Sequence, residues 1–178
     1  MGMSSTVATA PTIDSASSTP AQSAAAASFA GLVARMDYLS AAEVDMVRQA
    51  YRFADAAHLG QMRKNGDPYI THPIAVAQQC TEWKLDAQAL CAALMHDVLE
   101  DCGVSKQDMA ERFGTPVAEL VDGLTKLDKL EFDTREQNQA ESFRKMLLAM
   151  ARDVRVILIK LADRTHNMRT MGDMPKSK

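Results

Sequence analysis

His96-Asp97-Val98-Leu99-Glu100-Asp101 places a histidine and three acids in the middle of an otherwise apolar helix. Burying such groups is costly unless something compensates them. On a helix, Glu100 sits one turn above His96 and Asp101 one turn above Asp97, so two polar columns leave one side. A solvated helix end would account for Asp101, since Gly103 follows closely. It does not account for acids near a helix C-terminus, where the macrodipole disfavours negative charge. A bound cation does.

A second polar cluster lies in the stretch from Leu161 to Thr170, where Asp163, Asn167 and Thr170 fall on one helix face. It follows the apolar run from Val154 to Leu161, which draws Asp163 towards the interior; taken alone, it could be an exposed helix end. His72 is the remaining candidate among four histidines, the others being His58 and His166. Together His72, His96, Asp97 and Asp163 offer two imidazoles and two carboxylates without a thiolate, a set that suits Mn, Fe or Zn. An ion of this kind activates water and polarises a phosphoryl oxygen. Glu100 and Asp101 remain free to accept or return a proton. The basic turn Arg63-Lys64 supplies positive charge for phosphates.

The elements that must position these groups read as helix after helix. Ser40 and Glu43 form a capping box with Leu39 and Val44 at staple positions, and the helix runs on through Val47, Tyr51 and Ala54. Pro73 fits the first position of a helix that continues to Trp83. Asp86 caps an apolar helix that carries Leu90, Leu94 and Val98 and ends at Gly103. Ser105 and Asp108 begin a short helix closed by Gly114, and Thr115-Pro116 begins another with Leu120 and Leu124 inward. The segment from Leu130 to Gln139 is polar and carries no clear periodicity. A long amphipathic helix covers Ala140 to Ala151, and Asp153 caps a last one. Val154 to Ile159 is β-branched enough for a strand, but no second strand exists to pair with it. The expected fold class is all-α.

Composition sets limits on function. A net charge of -3 argues against a general DNA or RNA binder. No apolar run approaches the roughly 18 residues of a membrane-spanning helix. The three cysteines form no C-x-x-C pair, as expected of a reducing, cytoplasmic protein. Residues 1–30 are almost all Ala, Ser, Thr and Pro, with Asp14 the only charge. Such a stretch buries too little apolar surface to offset its ordering entropy, so residues 1–38 are expected to form a disordered tail before a domain over 39–178. A plastid-type transit peptide is the competing reading, opposed by the lack of Lys or Arg before Arg35.

His72, His96-Asp97 and Asp163 resemble the H…HD…D signature of the HD phosphohydrolase superfamily. More closely, four stretches look like the hydrolase domain of the bifunctional (p)ppGpp synthetase/hydrolases of the stringent response: Arg63 through Pro73, His96 through Asp101, Gly123 through Lys129 and Leu161 through Thr170. The resemblance covers roughly Leu39 to Gly172. It implies an HD-domain helical bundle and a Mn2+-dependent 3′-pyrophosphohydrolase that converts ppGpp to GDP and pyrophosphate in the bacterial cytoplasm. By matching position, His72, His96, Asp97 and Asp163 are the implied metal ligands and Glu100 and Asp101 the implied catalytic acids. Arg63, Lys64, Asn167 and Thr170 are the implied nucleotide contacts, with Arg63 against the guanine base. Family members continue through further helices into synthetase and regulatory domains, so the chain reads as C-terminally truncated. Two other readings are compatible: an HD phosphohydrolase for a dNTP or cyclic dinucleotide, and a non-catalytic module that binds a nucleotide or a partner chain.

Overall fold

A computed structural model describes residues 19–131 and 139–171 of the protein. Among these the regular secondary structure is helical, joined by turns and loops, with an isolated bridge between Met62 and Pro68. The helices are α1 (Pro20–Ala34), α2 (Ala41–Ala57), α3 (Thr71–Glu82), α4 (Ala87–Met95), α5 (Val98–Asp101), α6 (Lys106–Phe113), α7 (Thr115–Glu131), α8 (Gln139–Arg152) and α9 (Arg155–Thr170). The all-α expectation holds, and Val154 to Ile159 belongs to helix α9 and its start.

The middle of the bundle is α4. Its residues Ala87, Ala89 and Leu90 through Met95 are all buried, as expected for a helix that is apolar all round. Alanines at four of its positions let neighbours approach closely, and α2, α3, α7 and α9 all pack on it. The caps form where the sequence places them. Ser40 and Glu43 bond reciprocally, Asp86 Oδ1 accepts from the Ala89 amide at 3.0 Å, and Ser105 Oγ accepts from Asp108. α3 begins at Thr71, two residues earlier than expected, which puts Pro73 in its third position. That costs no hydrogen bond, because the first four amides of a helix have no partner within it.

Two departures from the sequence reading matter for the site. The expected disorder of residues 1–38 is wrong for its second half, and residues 1–18 lie outside the described residues. Thr19 and Gln22 form a capping box ahead of Pro20, and α1 buries Ala25, Phe29 and Leu32 at steps of four and three. Phe29 stacks on Tyr51 of α2 with ring centroids 3.9 Å apart. Composition misled because Ala, poor in apolar area, is the best helix former. A few well-spaced apolar side chains were enough to dock it.

The second departure is a break. The helix that starts at Asp86 does not run unbroken to Gly103; α4 stops at Met95, and α5 resumes at Val98. His96 Nδ1 lies 2.7 Å from the Ala93 carbonyl. In a continuous helix that carbonyl would accept the Asp97 amide, so the ring competes for it. Of the stretch 130–139, residues 132–138 lie outside the described residues, as do residues 172–178.

Candidate metal centre

The break delivers His96 into the space between α3 and α9. His96 is buried under α4's end, His72 is buried on α3, and Asp163 is buried on α9. His72 Nε2 lies 2.8 Å from Asp163 Oδ1, and His96 Nε2 lies 3.5 Å from the same oxygen. One ligand atom from each of the three falls within 4.8 Å of the others. Donors arranged at about 2.0–2.2 Å around one ion stand roughly 3–3.5 Å apart, so this spacing suits a shared cation.

His96 itself asks for one. Its Nδ1 faces a carbonyl, which only accepts, so the ring's proton sits on Nδ1 when the imidazole is neutral. The buried Nε2 then points a lone pair towards Asp97 Oδ2 at 3.0 Å and Asp163 Oδ1, and makes no well-aligned hydrogen bond. Burial opposes a charge there, yet Asp97 and Asp163 outweigh it and hold the His96 pKa well above the ordinary imidazole range. The pocket therefore wants positive charge at Nε2, as a proton or as a metal ion that displaces it.

The carboxylates are held ionised. For Asp163, burial is overcome by the hydrogen bond with His72 and then by the facing His96 and Lys160, so its pKa falls below the usual carboxylate range. Asp97 behaves alike: burial is outweighed by His96, then by the Tyr69 hydroxyl that donates to Oδ2. Asp97 stands outside the tight group of His72, His96 and Asp163 but shares His96 with it. For His72, burial prevails over Asp163 and lowers its pKa, which favours the neutral, ligating imidazole.

A cavity of about 810 Å3 opens over this cluster. Of the candidate residues, Arg63, Lys64, His72, Asp97, Glu100, Asp101, Asp163, Asn167 and Thr170 all line it, and His96 lies behind. The Arg63 turn is fixed by its own backbone, with the Arg63 amide donating to Asp67 O at 2.8 Å and Gly66 taking φ +92°, a region glycine tolerates. Arg63 Nη2 donates to Asn167 Oδ1 at 3.4 Å and Thr170 Oγ1 at 3.3 Å, which aims the guanidinium across the cavity. Glu100 and Asp101 are exposed on α5. Burial and then neighbouring carboxylates raise both pKa values, Asp128 first for Glu100 and Asp97 first for Asp101.

Three partners escaped the sequence reading. Tyr69 holds Asp97; its only signal was its place in the turn before His72. Lys160 pairs with Asp128 and donates to Asp163 Oδ2 at 3.0 Å. A lone lysine in the run Val154–Leu161, three residues before Asp163, was its signal. His166 Nδ1 lies 2.7 Å from His72 Nδ1, within a motif whose histidine was given no role.

A helical bundle that gathers two imidazoles and a carboxylate from three helices under an open cavity is a domain built round a His/Asp ligand cluster. The chain belongs to the HD domain family, which it matches over residues 50–178. It is 56% identical over 142 residues to a guanosine-3′,5′-bis(diphosphate) 3′-pyrophosphohydrolase of Vibrio cholerae and 57% identical over 141 residues to the bifunctional (p)ppGpp synthase/hydrolase SpoT of Escherichia coli. These matches cover 80% and 79% of the chain, which spans about a fifth of the length of either relative (20%). A solved structure of a metazoan ortholog of SpoT, described as hydrolysing ppGpp with a role in starvation responses, superposes with a TM-score of 0.55. It is 30% identical, covering 76% of this chain and 72% of that one.

Proposed function

We propose that this chain is a metal-dependent guanosine-3′,5′-bis(diphosphate) 3′-pyrophosphohydrolase, converting ppGpp to GDP and pyrophosphate in the stringent response of a bacterial cytoplasm. The observation that carries this reading is the convergence of His72 Nε2, His96 Nε2 and Asp163 Oδ1 beneath a cavity with Arg63 and Lys64 on its wall. Its bacterial relatives carry the names of that activity.

His72, His96, Asp97 and Asp163 would hold the ion, Mn2+ in this reading, which supplies Lewis acidity to a phosphoryl group when bound. Lys160 donates to Asp163 Oδ2, and Oδ1, which accepts from Asn167 Nδ2 at 3.2 Å and faces both imidazoles, would be the ligating oxygen. Arg63, steadied by Asn167 and Thr170, presents a flat guanidinium for the guanine, and Lys64 adds a point charge for the phosphates. Glu100 and Asp101 take a proton from the attacking water and return it to the leaving group. Their raised pKa values suit that exchange.

The test is the purified chain with Mn2+ and ppGpp, assayed for pyrophosphate release with and without chelator. A dNTP and a cyclic dinucleotide serve as competing substrates. Release from ppGpp alone, lost in chelator, is the expected result. Faster turnover of another nucleotide would make the chain an HD phosphohydrolase of different specificity. Ligand-dependent thermal stabilisation without any product, from metal-loaded protein, would leave only a binding module. The synthase activity in the name of the longer Escherichia coli relative is not assigned to these 178 residues.

A further inference from the structure

We propose that His166 is a positioning residue: it fixes which ring nitrogen of His72 carries the proton and so presents His72 Nε2 to the metal centre. This rests on the metal-binding reading above. His72 Nδ1 and His166 Nδ1 are 2.7 Å apart, with ring centroids at 4.9 Å and ring planes 31° apart. At that separation the two nitrogens share a single proton, because two would collide and none would set lone pair against lone pair. On the far side of the ring, His72 Nε2 faces Asp163 Oδ1 at 2.8 Å. A nitrogen that ligates an ion must offer its lone pair, so when an ion displaces the proton between Nε2 and Asp163, the proton His72 keeps is on Nδ1 and His166 Nδ1 accepts it. His166 is thereby the Nε2-protonated, neutral tautomer.

The same logic already governs His96, whose Nδ1 faces the Ala93 carbonyl. At His96 the accepting partner is a carbonyl; at His72 it is the lone pair of His166 Nδ1, which is available while His166 carries its proton on Nε2. His166 leaves α9 one turn after Asp163, so one helix supplies both a ligand and the group that orients the next ligand. It stands behind His72 and does not line the cavity, which separates it from the residues that would meet the substrate.

The test uses the full chain and Zn2+, a diamagnetic probe, titrated calorimetrically into wild type, His166→Leu and His166→Asn. Loss of an outer partner of a ligating histidine typically weakens metal binding by about 10–100-fold, and that loss is expected for His166→Leu. His166→Asn, which returns an oxygen acceptor near the Nδ1 position, should recover most of it. In Zn2+-loaded wild type, 15N resonances should show His72 protonated on Nδ1 and ligated through Nε2. A His72 proton on Nε2 overturns the proposal without any variant, even where His166→Leu fails to fold. Wild-type affinity in a folded His166→Leu overturns it too, and leaves the metal reading standing. A wild-type chain that binds no Zn2+ brings down the metal reading and this one with it.

Discussion

Two pairs of carboxylates face the same cavity and are treated in opposite ways. Asp97 and Asp163 lie among imidazoles and hydrogen-bond donors, and both are held ionised against burial. Glu100 and Asp101, one turn further along, face other acids and are nudged towards their protonated forms. The donors account for the difference: Tyr69, Lys160, Asn167 and the histidines all aim at the first pair. A permanently charged pair suits a cation, and a pair that gains protons easily suits proton exchange. One turn of helix after a break separates the two environments.

The contrast can be broken by substitution. Asp163→Asn should have the largest effect, removing an anion that both His72 and His96 face; hydrolysis should vanish. Its metal affinity should fall by more than the ~100-fold that an outer partner is worth. Calorimetry with Mn2+ checks this, and unchanged affinity would remove Asp163 from the ligand set. Next, Glu100→Gln with Asp101→Asn should slow turnover by about 10²–10⁴-fold while Mn2+ affinity stays close to wild type. A parallel loss of affinity would mean that both pairs serve the ion. Tyr69→Phe should be milder, an effect of about 10-fold on Mn2+ affinity through Asp97, with the fold intact by circular dichroism.

The smallest effect is on stability against pH, measured in chelator. With pKa values above the ordinary carboxylate range near 4, Glu100 and Asp101 bind protons in the folded chain before the unfolded one does. Their contribution therefore stabilises the fold slightly as pH falls towards about 4. Asp97 and Asp163 act the other way, contributing stability above that range and losing it as pH drops below. The Glu100→Gln, Asp101→Asn chain should lack the first rise and keep the second fall. Identical profiles for the two proteins would show that Glu100 and Asp101 are not perturbed.

Local signals were legible from sequence and long-range ones were not. Ser40 with Glu43, Asp86 and Ser105 announce their helices because cap and capped amide lie within three residues. Asp163, Asn167 and Thr170 share a face by periodicity alone, and Arg63 does meet the last two. The break at His96 was hidden because it depends on a ring outcompeting an amide for one carbonyl. Tyr69 and His166 were passed over because their partners lie 28 and 94 residues away, and Lys160 because one of its partners, Asp128, lies 32 away. Nothing in composition or spacing ranks one half-buried tyrosine or lysine above another.

The docking of α1 bears on where this protein can be cut. Its run of alanines and serines invites anyone trimming a chain for crystallisation to start at Leu39. That cut would strip the Phe29 ring from the face of Tyr51, remove buried Leu32, and free Gln78 from the Ser28 carbonyl it reaches at 3.2 Å. Gln78 rides on α3, the helix that also carries His72. A trimmed chain would keep every candidate ligand and lose part of the wall behind one of them. Such a cut would make poor metal binding look like a property of the site, when it was a property of the scissors.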